Sequence, residues 1–539
     1  MLWTDKVKKI IKKYWKIDSL KEKQIEVINE LLLGNDVIGL LPTGYGKSLC
    51  YLLPPLITKK TIFIISPLIS LMDDQKDKLN KMNIPCAALN GNNKNKDEEI
   101  FKIIDGEIKI VYMSPEYLIK SDGLELAKTL VESNKLGFFA VDESHCISVW
   151  GQDFRPEYTK IKTFREIFPQ IPIIAVTATA TDNVCKDITK MLALNNPSLV
   201  RASFDRPNLY IKVQEIPTTS ITEKSKRGNK FKIVQKPVAK EQLVLQWVKK
   251  YPNEKIIVYT NSRKDSENIA TELNKLSKNC CDAYHAGLSK GLREQIQSKF
   301  IEGEIKVIIS TIAFGMGIDQ IVKCVIIFGS PSSIEEYYQQ IGRGGRDGKH
   351  CETILYFDYG NLIIAKHMLR DVKMKYPMLY KTKLNNLNKI GKFAYLNTCR
   401  RKFILEYFNE SCNFFSCSNC DNCCDHELID MTDQFWSIIM KPNVNLVGVI
   451  NEIRNKYLNE ITELDKHNKD KVIDLDLLEP IWKWKNYIME NKISKDKLPE
   501  NLKIKIPSKF IKKVEYGQSN LERKSFEDKI NIYEKLLSE

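Results

Sequence analysis

Three stretches of the sequence combine residue types that handle phosphate, and a fourth has the spacing of a metal site. The first is LPTGYGKS at 41–48, where a β-branched run gives way to an apolar helical stretch. Gly44 and Gly46 let the backbone curl with its N–H groups turned inward. The N-terminus of the following helix adds its dipole, so the loop can cradle phosphate oxygens. Thr43 shares the turn, Lys47 supplies charge for β- and γ-phosphates, and Ser48 offers a hydroxyl to Mg²⁺. The strict pattern asks for Gly where this chain has Leu41, so the match is partial. The second stretch is VDESH at 141–145, with adjacent carboxylates after an apolar strand. There Asp142 would hold Mg²⁺ through its water shell, and Glu143 would orient and deprotonate an attacking water. A solvated Asp-Glu turn is common by itself. In this order and at this distance from Lys47, the pair predicts hydrolysis of a nucleoside triphosphate.

Hydrolysis also needs charge stabilisation at the γ-phosphate. YYQQIGRGGRDG at 337–348 sets Arg343 and Arg346 three residues apart, and the guanidinium fork suits phosphate oxygens. Alone, this would read as a basic surface loop. It follows STIAFGMGIDQ at 310–320, where Gly315 and Gly317 permit close backbone approach and Asp319 offers a carboxylate to a ribose or an Arg. The fourth stretch, 399–424, holds six of the 14 cysteines. Cys417, Cys420 and Cys423 form C-x-x-C-x-x-C, a spacing that brings successive thiolates to one tetrahedral ion, and Cys399 can complete the set. A four-sulfur Zn²⁺ site is closed and structural; an iron–sulfur cluster is the competing ligand, and Cys412 and Cys424 are spare thiols.

These residues need a scaffold. At ~150 residues per domain, 539 residues predict three or four domains. A composition 43% hydrophobic and 9% aromatic excludes disorder or collagen-like repeats for most of the chain. Short apolar runs recur with helical text between them: DVIGLL, TIFIIS, IKIVYMS, GFFAVD and IPIIAVT, then KIIVYT, CDAYHAG, VIIST, VIIFG and TILYF. Runs apolar on both faces predict parallel sheets, so the class is α/β with two successive lobes. Between them ITEKSKRGNKFK at 221–232 reads as a polar interdomain connection. From 361 the text turns helical and basic.

A formal charge of +15 favours a polyanionic partner, although a biased source composition would give the same figure. No run of ~18 apolar residues exists, so no membrane span is expected. The first residues, MLWTDKVKKIIKKYWK, read as a basic amphipathic helix and not as an export signal. Scattered remaining cysteines predict a reducing, intracellular compartment, nucleus or cytoplasm.

The order LPTGYGKS, ISPLISLMDDQ, VDESH, VTATAT, VYTNSR, STIAFGMGID, QQIGRGGRDG resembles superfamily-two helicases, and specifically the RecQ family. SHCISVWGQDFRPEY at 144–158 is similar to that family's aromatic-rich loop, and SFDRPNL and YHAGL also match. The resemblance spans roughly residues 10 to 425. It implies two tandem RecA-like lobes (1–205 and 206–360), a helical zinc-binding subdomain (361–427) and a basic C-terminal region (428–539). In that last region a divergent winged helix competes with an unrelated helical tail, and LKIKIPSKF suggests a short hairpin. Gln24 resembles the adenine-reading Gln, which favours ATP. Trp150, Phe154 and Arg155 would sense bound DNA by stacking and charge. Cys399, Cys417, Cys420 and Cys423 match the family's zinc ligands. Leu20-Lys21 departs from the usual Phe-Arg, the site reads DESH for DEAH, and Gly344 replaces the usual Ala, a swap expected to be harmless.

The resemblance implies an ATP-dependent 3′–5′ helicase acting on single-stranded and duplex or branched DNA, with ATP, Mg²⁺ and Zn²⁺ as cofactors. An RNA helicase is the alternative, because lobes that grip phosphates do not read the 2′-OH. A zinc-stabilised nucleic-acid-binding protein with weak ATPase activity is the third reading.

Overall fold

The computed structural model describes residues 5–90, 96–119, 121–148, 155–224, 231–277, 280–312, 314, 320–357, 359–396, 398–412, 414, 416–424, 428–430 and 505–507, with positions 433, 436, 440 and 494. Trp150, Phe154, Gly315, Gly317 and Asp319 lie outside the described residues, as does most of 428–539. The expectations about the winged helix and the tail therefore stand as sequence readings. The chain divides into two compact units, Met1–Leu396 with Ile404–Ser411, and Asn397–Phe403 with Cys412–Glu539.

The first unit contains both sheets. Its first seven strands are β1 (Val37–Leu40), β2 (Thr61–Ile65), β3 (Cys86–Leu89), β4 (Ile110–Met113), β5 (Leu136–Val141), β6 (Ile173–Thr177) and β7 (Ser198–Arg201). They lie in the order 3-4-2-5-6-1-7 and every pairing is parallel. β1, β2, β4 and β6 are buried at every position, which is why they read as unbroken apolar runs. The small-residue strand CAAL is absent from the apolar runs read in the sequence, and with it the Asp142–Glu143 pair follows the fifth strand of the chain.

Next come β8 (Leu209–Glu215) and an antiparallel ribbon of β9 (Thr218–Lys224) and β10 (Phe231–Pro237). The interval 221–232 is thus structured on both sides of its centre, a correction to the reading of a plain connection. The Thr, Ile and Val residues of β9 (TTSITEK) and β10 (FKIVQKP) supply enough strand preference despite the surrounding charge. The second sheet adds β11 (Ile256–Tyr259), β12 (Cys281–Tyr284), β13 (Val307–Ser310), β14 (Cys324–Phe328) and β15 (Cys351–Phe357). Its order is 12-13-11-14-15-8, again all parallel. Crossover helices link the strands, and the loops leaving the strand carboxyl ends carry the phosphate-handling residues, where open α/β sheets bind ligands.

The amino-terminal helix Asp5–Trp15 buries Val7 and Ile11 and leaves its lysines outward, as expected of its amphipathic text. Helices Tyr359–Met368, Arg370–Lys375 and Pro377–Ala394 follow the second sheet. In the second unit β16 (Leu428–Asp430) pairs antiparallel with β17 (Lys505–Pro507), so KIP joins a strand about 75 residues upstream, and the rest of LKIKIPSKF lies outside the described residues. Among the described residues no helix is long and apolar enough to cross a membrane.

One buried carboxylate fixes how β1 meets its neighbours. Asp36 accepts from Arg165 Nη2, from Ile173 N at 2.8 Å and from Asn195 N at 2.7 Å, while its carbonyl takes Ser198 N at 2.9 Å. The starts of β6 and β7 are thereby registered on β1, the strand that launches the phosphate loop. Breaking a buried ion pair from one side costs about 3–5 kcal/mol. Asp36→Ala should therefore lower the melting temperature of the first lobe by on the order of 10 °C. Calorimetry checks this, and an unchanged transition would show that the network is dispensable.

Candidate active site and zinc centre

The phosphate loop leaves β1 and enters helix Lys47–Thr58 through Gly46, which caps it in the left-handed region at φ +91°. Gly44 is also left-handed, at φ +79°. At Gly46 space matters as much as angle, because a Cβ there would sit 2.5 Å from Gln24 Nε2. Gln24 is buried in helix Glu22–Leu32 and braces this loop. Its Nε2 donates to Tyr45 O at 2.9 Å and Gly46 O at 3.2 Å, and its Oε1 accepts from Lys21 N at 2.9 Å. The amide expected to read adenine is thus engaged with the loop backbone. Ser48 lies half-buried in the helix's first turn.

Asp142 and Glu143 follow β5. Glu143 has φ +46° and ψ +46°, a left-handed conformation that costs a non-glycine residue roughly 1–3 kcal/mol and commonly marks a working site. Asp142 Oδ1 accepts Glu143 N at 3.0 Å, and Oδ2 accepts the Tyr51 hydroxyl at 3.1 Å. Burial first, and then the Glu143 charge, push Asp142 up to about 7, against the pull of Lys47. A cation would relieve that strain, and a carboxylate beside a helix-borne Ser hydroxyl is a hard oxygen donor set that fits Mg²⁺. His145 Nδ1 lies 3.3 Å from Glu143 Oε2 but only 2.8 Å from Thr177 Oγ1. The shorter contact takes the imidazole, leaving Glu143 Oε2 buried without a hydrogen-bond partner.

Lys47 is pulled below the usual lysine range by burial, opposed by Glu143 and Asp142, and pushed further down by Arg343 and Arg346. Residues from both sheets therefore share one electrostatic neighbourhood. Arg343 is lowered by burial, sits beside the Tyr259 hydroxyl and lies within the field of Glu143. The Arg346 stem passes over Gly44, with Cγ 3.6 Å from where a Cβ would stand. Gly342 approaches Thr43 so closely that a Cβ would lie 2.1 Å from Thr43 Oγ1. The Gly344 swap is more than harmless, because a Cβ there would meet the buried Cys351 Sγ at 2.3 Å.

Sequence reading overlooked three participants. Arg206 of SFDRPNL donates to Thr43 O at 3.3 Å, Gly344 O at 2.9 Å and Gly345 O at 3.0 Å. Tyr51 holds Asp142, and Gln339 Nε2 reaches Thr179 Oγ1 at 3.3 Å. Arg206 and Gln339 were signalled only by position within matched stretches, and Tyr51, three residues past the phosphate loop, had no signal of its own. Arg155 Nη1 donates to Pro67 O at 2.5 Å and its N–H to Cys146 O at 2.8 Å. It anchors the carboxyl end of the aromatic stretch to the loop after β2.

In the second unit, the Sγ atoms of Cys399, Cys417, Cys420 and Cys423 all lie within 4.8 Å of one another. Tetrahedral Zn–S bonds of ~2.3 Å imply S···S separations of about 3.8 Å, so the four fit zinc with small adjustments. Cys412 and Cys424 are not in this group. Lys402 N and Asn419 N donate to Cys399 Sγ and Cys417 Sγ, each at 3.4 Å, as thiolates require. Helix Arg400–Tyr407 starts directly after Cys399 and adds its positive end. Buried Arg400 Nε binds Asp421 Oδ1 at 2.5 Å, and Asn422 Nδ2 binds Thr398 O at 2.7 Å, so the two cysteine-bearing segments are tied together.

Two parallel-sheet lobes with phosphate-loop, carboxylate-pair and arginine-loop residues in one site define a nucleotide-driven motor class. Family models for DEAD/DEAH box helicase, helicase conserved C-terminal domain and RecQ zinc-binding match residues 21–188, 239–348 and 360–424. The protein named Putative ATP-dependent RNA helicase of Acanthamoeba polyphaga mimivirus is 39% identical over 78% of this chain and 72% of its own length. The ATP-dependent DNA helicase RecQ of Haemophilus influenzae is 37% identical over 77% of this chain. The RecQ-like DNA helicase BLM of Xenopus laevis is 35% identical over 81% of it. The chain spans 63% of the H. influenzae protein and 32% of the Xenopus one. Among solved structures, the DUF1998 helicase MrfA bound to DNA and AMPPNP shares the fold, with TM-score 0.54 and 20% identity over 75% of this chain and 56% of that one. The chain belongs to the RecQ family of superfamily-two helicases.

Cys420→Ser should release the zinc, while Cys412→Ser should keep about one zinc per chain, as expected of a closed four-thiolate site. Metal analysis of both purified variants checks this. Full zinc in Cys420→Ser, or iron in the native protein, would overturn the ligand assignment.

Proposed function

We propose that the protein is an ATP-dependent DNA helicase that moves 3′ to 5′ on single-stranded DNA and unwinds duplex or branched DNA in replication, recombination or repair. The observation that carries this is the convergence of Lys47, Asp142 and Glu143 from one sheet with Arg343 and Arg346 from the other. A site made by two lobes lets each hydrolysis change how the lobes grip a polymer.

In this reading the loop at Thr43, Gly44 and Gly46 wraps the phosphates with backbone N–H groups, and Lys47 neutralises the β- and γ-oxygens. Ser48 and Asp142 would hold Mg²⁺, which would supply positive charge against that developing on the phosphates. Glu143 Oε2, without a hydrogen-bond partner, takes a proton from the attacking water. Arg343 and Arg346 stabilise the charge moving onto the leaving phosphate. Gln24 favours adenine by holding the loop that meets it, and Asp319 contributes from the second lobe. Trp150 and Phe154 stack on bases, with Arg155 as the anchor of their loop, so DNA is felt two strand-ends from the phosphates. The zinc set Cys399, Cys417, Cys420 and Cys423 is structural.

A second reading, action on RNA, draws support from the name of the mimivirus relative. ATPase assays with matched single-stranded DNA and RNA separate the two: DNA should stimulate turnover more, and stimulation by RNA alone would reverse the assignment. Lys47→Ala should cut turnover on the order of 100-fold or more while single-stranded DNA binding persists, because the lost charge serves phosphate alone. Native turnover in that variant would refute the phosphate-loop reading.

A further inference from the structure

We infer that Arg206 is a positioning residue that sets the distance between the phosphate loop and the arginine loop, an inference that rests on Arg343 and Arg346 acting at the γ-phosphate. One guanidinium spans three backbone carbonyls: Thr43 O on the phosphate loop at 3.3 Å, and Gly344 O and Gly345 O between the two arginines at 2.9 and 3.0 Å. These acceptors belong to different sheets. A planar fork can satisfy all three only at one separation, so the contact acts as a spacer. Asn208 reinforces the arginine-loop side, donating to Gly345 O at 2.8 Å and Lys349 O at 2.9 Å. A side chain at Gly345 would crowd this contact, since a Cβ there would lie 2.4 Å from Asn208 Nδ2.

The segment that carries Arg206 is itself fixed. Phe204 stacks on Phe408 at 4.4 Å and 9°, and meets Tyr338 edge-on at 5.8 Å. Its N–H donates to Glu410 Oε2 at 2.7 Å, its carbonyl accepts the Tyr338 hydroxyl at 2.8 Å, and Ser203 Oγ donates to Glu410 Oε1 at 2.5 Å. Tyr407 in turn donates to Glu335 Oε1 at 2.6 Å. Residues 407–410 thus hold segment 203–206 from one side while Arg206 holds both loops from the other. A shift of Phe408 or Glu410 reaches the site through this segment, without any contact to nucleotide.

A spacer of this kind serves the transition state, when the arginines must meet the moving phosphoryl group, more than the ground state. The test uses the full chain with oligo-dT, steady-state turnover, and fluorescence titration with an ADP analogue alone and with aluminium fluoride. Arg206→Gln should lower kcat by roughly tenfold or more, and weaken the aluminium fluoride complex by a similar factor. Affinity and stoichiometry for the ADP analogue alone should stay within about twofold, which excludes a loss of folded protein. Arg206→Lys should recover only part, since one ammonium cannot span three carbonyls, and Glu410→Ala should show the same signature more weakly. If Arg206→Gln leaves kcat and the fluoride complex unchanged, or weakens both nucleotide complexes equally, the inference is wrong. If instead Arg343→Ala and Arg346→Ala both retain native turnover, the underlying arginine reading is what fails.

Discussion

The structure depends on keeping several charged groups close together and out of water before any substrate arrives. Lys47, Asp142, Glu143 and Arg343 each feel burial as a main influence or lie in the field of one another. Such a cluster is costly unless its members offset each other. Two anions and two cations do so approximately, but three of them are displaced from their ordinary values: Asp142 is raised, and Lys47 and Arg343 are lowered. A polyphosphate with its cation would satisfy the arrangement better than the protein satisfies itself. That mismatch is the physical content of preorganisation.

Holding those charges dictates the backbone around them. Loops from two sheets must approach within van der Waals contact, and glycine appears where they do. Gly342 faces Thr43 and Gly44 faces Arg346 across the two loops, while Gly46 faces Gln24 and Gly344 faces Cys351 each within one lobe. Glu143 is the exception that carries a side chain in the left-handed region. A glycine would fit that backbone more easily, so the conformational cost is borne for the carboxylate. Behind the site, Asp36 registers β6 and β7 on β1, so the loop that needs sub-ångström placement leaves a strand fixed at its other end.

What the sequence made legible follows from how local each signal is. The phosphate loop, the carboxylate pair and the cysteine spacing are contiguous, and each encodes its chemistry within eight or so residues. Fully buried strands such as β2 and β6 announce themselves as unbroken apolar runs. CAAL at β3 is too small-sided and short to do so, and β8 alternates toward its exposed end. Arg206 was invisible as a functional group because its partners are backbone carbonyls, which have no residue type. The same holds for Gln24: an amide's identity is plain in the text, but its engagement with Tyr45 and Gly46 is a matter of three dimensions.

The zinc centre shows the limit from the opposite direction, since there the ligand spacing is explicit and its electrostatics are not. Four thiolates on one Zn²⁺ carry a net charge of about −2, which must be offset locally. The CRRK text supplies the offset in two ways. Helix Arg400–Tyr407 begins immediately after Cys399, so its positive end and the Lys402 N–H face a ligand sulfur. Arg400 is turned instead to Asp421, between two of the downstream cysteines. The first basic residue therefore joins the two ligand segments mechanically, and the Lys402 backbone N–H reaches the sulfur. A Lys at 400 would keep the charge yet lose the planar donor that meets a buried carboxylate, so the consecutive arginines after Cys399 are not interchangeable basic residues.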